Sequence, residues 1–231
     1  MEKHLAAAIN RSIPDPTKVS EGEFAKSGDT RMRILEAAMN LLAEKGYAAA
    51  STLAITKAAG LSRTAMLYHF SSRQTLLEAI VHFVTRRRLE LQEESHASLP
   101  MGDDLRARGV DSHWAQLQSV EFRAFCQLSL AASTNPELEA VFKPALAAFD
   151  KARKEMAMKL AEAELVALPG FDLKRDIQRF LLEGIAQQDG ITFNKRQRMR
   201  NILAFIKLCW TDEGQAFIER ALSLANKQPA K

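Results

Sequence analysis

The fold class predicted for this 231-residue chain is all-α, and three observations predict it. Apolar residues recur at the spacing of a helix face from Thr30 almost to the C-terminus. No segment shows the sustained alternation of a half-buried strand. The joints between periodic segments carry helix punctuation, with Ser, Asn or Asp at the starts and Gly at the ends. The predicted architecture is an N-terminal three-helix domain joined by a long helix to a larger helical C-terminal domain. Its divisions are a flexible N-terminal arm over residues 1–28, the small domain over 29–76 and the larger part over 77–231.

The arm contains "NRSIPDPTKVSEGEFAKSGD", with two prolines, two glycines and no sustained period. Lys3, Arg11, Lys18 and Lys26 offer charges for phosphates, although a solvated tail is the simpler reading. From Thr30, residues Ile34, Leu35, Ala38, Leu41 and Leu42 define one buried face, and Gly46 stops that helix. A short helix over 52–59 follows, capped by Ser51 or Thr52 and ended by Gly60. Ser62 caps the third helix. Ser71 or Ser72 caps the fourth, with Ser71 and Gln74 spaced as a capping box. The fourth helix, over 73–94, buries Leu76, Leu77, Ile80, Val81 and Val84. Further on, Asn135 is a cap, Pro136 a first helical residue, and Glu137 and Glu139 sit in the positive first turn. "LPGFD" is a stop and restart with Asp172 as the next cap, and residues 211–214 are another joint.

Composition narrows the function classes. Apolar residues make up 47% of the chain, enough for a packed core. A net charge of +4 and a pI near 9.1 are compatible with an anionic partner without identifying nucleic acid. Cys126 and Cys209 match no metal or redox spacing, which implies a reduced interior. No apolar run approaches the roughly 20 residues of a bilayer span, and "LAAAI" is too short for a secretory core, so a cytoplasmic location is expected. There is no Gly-rich phosphate loop, no His-Glu-x-x-His and no Gly-x-Ser-x-Gly elbow. An enzyme is therefore not expected, nor a cofactor or a metal.

"AAGLSRTAMLYHFSSRQTLL" raises a sharper question, because its central helix is too short to be stable alone. At about 100° per residue, Arg63, Thr64, Leu67 and Tyr68 fall on one arc of about 140°. Met66 and Phe70 are read as the packed side of the helix, with Ala65 and His69 at the borders. Met66 and Phe70 can thus pin the helix to its neighbours and leave the other arc free. Two short helices joined through a Gly turn, the second presenting such a face, form a helix-turn-helix.

With "RILEAAMNLLAEKGY", "AAGLS" and "HFSSRQTLL" in that order, residues 30–77 resemble the DNA-binding domain of the TetR family of bacterial transcriptional regulators. Several positions depart from the family pattern. Thr56 follows Ile55 where an alanine is usual, and Leu67 stands in place of the family tyrosine, with Tyr68 one position later. A gapped match would align Leu67-Tyr68 with the family's Leu-Tyr. It is rejected because one inserted residue turns the rest of the helix by about 100°. Arg73 replaces the family lysine and keeps its charge.

The resemblance implies DNA-contact roles. Arg63 can read guanine in a bidentate manner, and Leu67 can touch a thymine methyl, with ordinary packing as its alternative. Thr64 shares their arc. Tyr68, His69, Ser51, Thr52, Ser62 and Arg73 are placed for phosphates, with a structural histidine at the domain seam as the alternative for His69. Arg86, Arg87 and Arg88 read instead as a solvated face paired with Glu90 and Glu93, and "NKRQRMR" as a solvent-facing joint. The resemblance further implies an effector-binding and dimerisation domain over 77–231. Apolar helices over 172–188 and 201–225 are suited to pairing between subunits. His113, Trp114, Phe122, Phe125, Phe142 and Phe149, with Met156 and Met158, are candidate effector-pocket linings, and ordinary core packing is the alternative for each.

The expected function is that of a homodimeric, sequence-specific DNA-binding regulator on a palindromic double-stranded operator, a repressor released by a small-molecule effector. The alternative is a DNA-binding architectural or cell-division factor that docks a protein partner.

Overall fold

The computed structural model describes residues 13–18, 25–97, 105–160, 166–188 and 195–225. Every regular element among them is helical, as expected. These elements are α1 (Ala25–Lys45), a 3-10 turn (Tyr47–Ala49), α2 (Thr52–Ala58), α3 (Arg63–His69), α4 (Arg73–Ala97), α5 (Leu105–Gln116), α6 (Val120–Ala132), α7 (Pro136–Leu160), α8 (Phe171–Gln187), α9 (Lys195–Cys209) and α10 (Asp212–Ala225).

The chain forms two compact units. One comprises Met1–Glu93 with Gln118–Met156, and the other Glu94–Leu117 with Ala157–Lys231. In the first, α1 packs on α2, α3 and α6, burying Ile34, Leu35, Ala38 and Leu42. Asn135 caps α7 as expected, its Oδ1 accepting from the Leu138 N–H at 3.2 Å. The capping box of α4 lies one residue later than the sequence spacing predicts. Ser72 Oγ accepts from the Thr75 N–H, and Thr75 Oγ1 from the Ser72 N–H, both at 3.1 Å.

Two expectations about charge and order are corrected in this unit. Residues 13–18, read as part of a loose arm, are fixed by the burial of Ile13 against α4 and α7, and α1 begins at Ala25 rather than Thr30. Lys18 is exposed, while Lys3 and Arg11 lie outside the described residues, as does the side chain of Lys26. The arginine triplet is not a solvated face. Arg86 and Arg88 are buried, while the expected pairing with Glu90 is kept by Arg87, 2.8 Å from Oε2, and by Arg86, 3.8 Å from Oε1. The Arg88 guanidinium stands over phenylalanine rings, whose faces replace water around a weakly hydrated cation.

In the second unit α9 packs on α5 and α10. Gly170, not Asp172, occupies the cap of α8, and Asp172 sits in the first turn. "KRQRMR" opens α9 instead of forming a joint, with Arg196, Arg198 and Arg200 exposed. The joint expected at 211–214 falls at Trp210–Thr211, with 212–214 forming the first turn of α10. The helices meet so tightly there that a Cβ on Gly214 would clash with the Leu208 carbonyl oxygen. Helix α8 leaves Leu173, Ile177, Phe180 and Leu181 exposed at helical spacing, and α10 leaves Phe217 and Leu224 exposed. Among the described residues, no helix is long and apolar enough to cross a membrane.

Candidate nucleic-acid interface

The turn between α2 and α3 is built by backbone bonds that its sequence dictates. Ser51 has extended backbone and its Oγ accepts from the Ala54 N–H at 3.2 Å, starting α2. Gly60 takes φ +66°, a left-handed conformation that glycine adopts without strain. The Gly60 N–H then reaches the Lys57 carbonyl at 3.1 Å and the Leu61 N–H the Thr56 carbonyl at 3.0 Å, the paired bonds of a Schellman ending. Arg33 of α1 closes the turn from outside, donating from Nη2 to the Ala59 carbonyl at 3.0 Å. Ser62 starts α3, its Oγ accepting from the Ala65 N–H at 3.1 Å. Thr56, at the family's alanine position, is buried, and its hydroxyl donates to the Thr52 carbonyl at 2.7 Å.

Helix α3 buries Met66 and Phe70 as expected, but the helical period does not set them opposite the exposed arc: Met66 lies about 60° and Phe70 about 20° from Arg63 on the wheel, and Phe70 leaves the helix as its C-cap. Met66 is 1% exposed and Phe70, its C-cap, is buried. Leu67 is 45% and Tyr68 72% exposed, and Arg63 and Thr64 are exposed beside them. A seven-residue helix draws its stability from such packing, so the exposed arc is free to meet a partner without unfolding α3. Ser51, Ser62 and Arg73 are exposed at the starts of α2, α3 and α4, and Thr52 is half-buried. His69 is half-buried too. Its Nδ1 shares a hydrogen bond with the buried Ser27 Oγ at 3.3 Å, and its ring meets Tyr68 edge-on at 5.1 Å. Sequence reasoning missed Ser27 and Arg33, because both act across the domain from positions with no local signal.

The candidate effector residues do not all come together. Phe122 and Phe125 of α6 stack at 6.3 Å, and Phe125 meets Phe142 of α7 at 5.4 Å. The Arg88 guanidinium lies 3.8 Å from the Phe125 ring centre, 4.5 Å from Phe149 and 5.3 Å from Phe122. All four phenylalanines and Met156 are buried, whereas Met158 is exposed. His113 and Trp114 are residues of the second unit. There Trp210 Nε1, which can only donate, gives its hydrogen to Gln178 Oε1 at 2.8 Å. The Gln178 Nε2 therefore faces His113 Nδ1, at 3.3 Å, and donates to it. Among the described residues, no group of three or more His, Cys, Asp or Glu side chains is placed to hold a metal ion.

Residues 34–80, spanning most of α1 through the start of α4, match the model for bacterial regulatory proteins of the tetR family. The chain is 38% identical over 72 residues to an uncharacterized HTH-type transcriptional regulator of Mycobacterium tuberculosis, covering 31% of this chain and 37% of that one. It is 29% identical over 123 residues to the HTH-type transcriptional regulator CymR of Pseudomonas putida, covering 53% and 60%. The chain thus spans little more than a third of the length of the first of these relatives. Its fold is similar to the crystal structure of a transcriptional regulator from Rhodococcus sp. Rha1, with a TM-score of 0.56, 20% identity, and coverage of 82% of this chain and 96% of that one.

Proposed function

We propose that the chain is a member of the TetR family of bacterial regulatory proteins, whose model its residues 34–80 match, and that it is a sequence-specific DNA-binding transcriptional regulator. Its finer role is that of a homodimeric repressor released by a small-molecule effector. The observation that carries this reading is the outer arc of α3, where Arg63, Thr64, Leu67 and Tyr68 stand exposed while Met66, outside that arc, is buried.

Within residues 29–76, Arg63 reads a base edge, Leu67 meets a thymine methyl and Thr64 supports both. Ser51, Thr52, Ser62, Tyr68, His69 and Arg73 hold phosphates and fix the register. The remainder, 77–231, pairs subunits and receives the effector. The exposed apolar faces of α8 and α10 favour pairing, since uncovered faces of that kind are an aggregation hazard. Two subunits then present two reading helices to the halves of a palindrome. The effector site is assigned to the core around Phe122, Phe125, Phe142 and Phe149, with His113 and Trp114 as separate candidates in the second unit. An effector releases DNA only by binding the released conformation better than the DNA-bound one.

The test is selection of random duplex DNA by the purified protein, followed by sequencing of the retained fragments. An enriched inverted repeat supports the proposal. Retention with no enriched sequence contradicts it and favours an architectural role.

A further inference from the structure

Residues 13–18 take no part in the reading above, yet they are held from both ends. Ile13 is 1% exposed and packs with Leu89 of α4 and with Phe149 and Ala152 of α7. Its carbonyl accepts from Arg86 Nη1 at 2.9 Å, and the same guanidinium stands 3.7 Å from Asp15 Oδ2. Asp15 Oδ1 accepts from the Thr17 N–H at 3.0 Å and from the Thr17 hydroxyl at 2.6 Å. The Lys18 N–H closes the turn on the Asp15 carbonyl at 3.3 Å. Pro14 and Pro16 remove freedom that the segment would otherwise lose on docking. At the other end, the Lys18 carbonyl accepts from Arg31 Nη1 of α1 at 2.9 Å. Ser27, one helical turn before Arg31, holds His69, the last residue of α3.

We infer that residues 13–18, acting through Arg31 and Ser27 of α1, position the reading helix α3. Ile13 and Asp15 fix the segment to α4 and α7, Lys18 fixes α1 to the segment, and Ser27 fixes the end of α3 to α1. A short helix has little stability of its own, so a tether at its last residue sets its angle on α1. The consequence for DNA reading rests on the function proposed above, but the positioning itself does not.

Hydrogen exchange on the full-length protein tests the inference. Ile13→Ala should speed exchange of the Asp15, Thr17 and Lys18 amides and also of α3, the α3 effect being about two- to tenfold, the scale of the one net hydrogen bond that ties Ser27 to His69. Ser27→Ala should speed α3 by a similar factor and leave 13–18 unchanged. In both variants, affinity for the selected DNA should fall while the salt slope stays the same, because no phosphate contact is removed. Faster exchange in 13–18 with α3 unchanged under Ile13→Ala would overturn the inference, as would unaltered α3 exchange under Ser27→Ala. If the wild-type protein retains no DNA, the exchange result still decides the positioning role, and only the DNA reading falls.

Discussion

Replacing Met66 by Ala tests which side of α3 carries structure and which carries recognition. Met66 is 1% exposed, and it and the cap residue Phe70 are the buried apolar anchors of a seven-residue helix. Truncating a buried methionine removes its transfer free energy and leaves a cavity, together about 2–5 kcal/mol. Taking about 3 kcal/mol, and the 2–4 °C per kcal/mol expected for a chain of this size, the melting temperature should fall by roughly 6–12 °C. The assay is a thermal melt by circular dichroism beside operator binding well below the transition. Base preference should be unchanged, since Met66 does not share the outer arc. An unchanged melting temperature with an altered base preference would refute the reasoning. The helix would then be turned by about one residue, and Leu67-Tyr68 would match the family's Leu-Tyr after all.

Other outcomes follow from particular contacts. Gly60→Ala has open space around the new methyl and should cost only its left-handed strain, about 1–2 kcal/mol, whereas Gly214→Ala drives a methyl into the Leu208 carbonyl and should lower the melting temperature more; the reverse order would refute these roles. At Asp15, burial raises the carboxyl's pKa, but the Thr17 hydrogen bonds and the charges of Arg86 and Lys18 outweigh it and hold the group below its ordinary 3.8. Its contribution is therefore fully present above that value and lost as pH falls through the lowered one, so Asp15→Asn should flatten the acid end of the stability curve below about pH 4. Light scattering at micromolar concentration should return twice the 25.7 kDa chain mass, and Phe180→Asp on α8 should shift the protein toward monomer; an unaffected dimer would place the interface elsewhere.

The helix-turn-helix was legible because its signals are local. Gly60 ends α2, Ser62 caps α3, and the opposition of Met66 to Tyr68, about 160° apart, needs only the helical period. What was not legible depends on partners far along the chain. Ile13 sits among prolines and carries no period, and its seat on Leu89 and Phe149 is built only by folding. Arg86 and Arg88 look solvated because the groups that receive them, the Ile13 carbonyl and the phenylalanine faces, are distant in sequence. Ala25–Asp29 is polar and contains Gly28, so propensity starts the first helix too late, while Ser27 and Arg31 show tertiary bonds holding its start. The four phenylalanines announce a core by composition, but their grouping around Arg88, and the separation of His113 and Trp114 into another unit, require the fold.

The central claim is that the outer arc of α3 reads bases while the start of α4 grips the backbone. It is tested most directly by measuring wild type, Arg63→Ala and Arg73→Ala on a selected operator and on random duplex across a salt series. Arg63→Ala should lose about 1–3 kcal/mol on the operator, relax the choice at one base pair and leave random DNA nearly untouched. Arg73→Ala should weaken both DNAs alike and lower the salt slope by about one unit. Equal losses on both DNAs for Arg63→Ala, with base preference intact, would contradict the account.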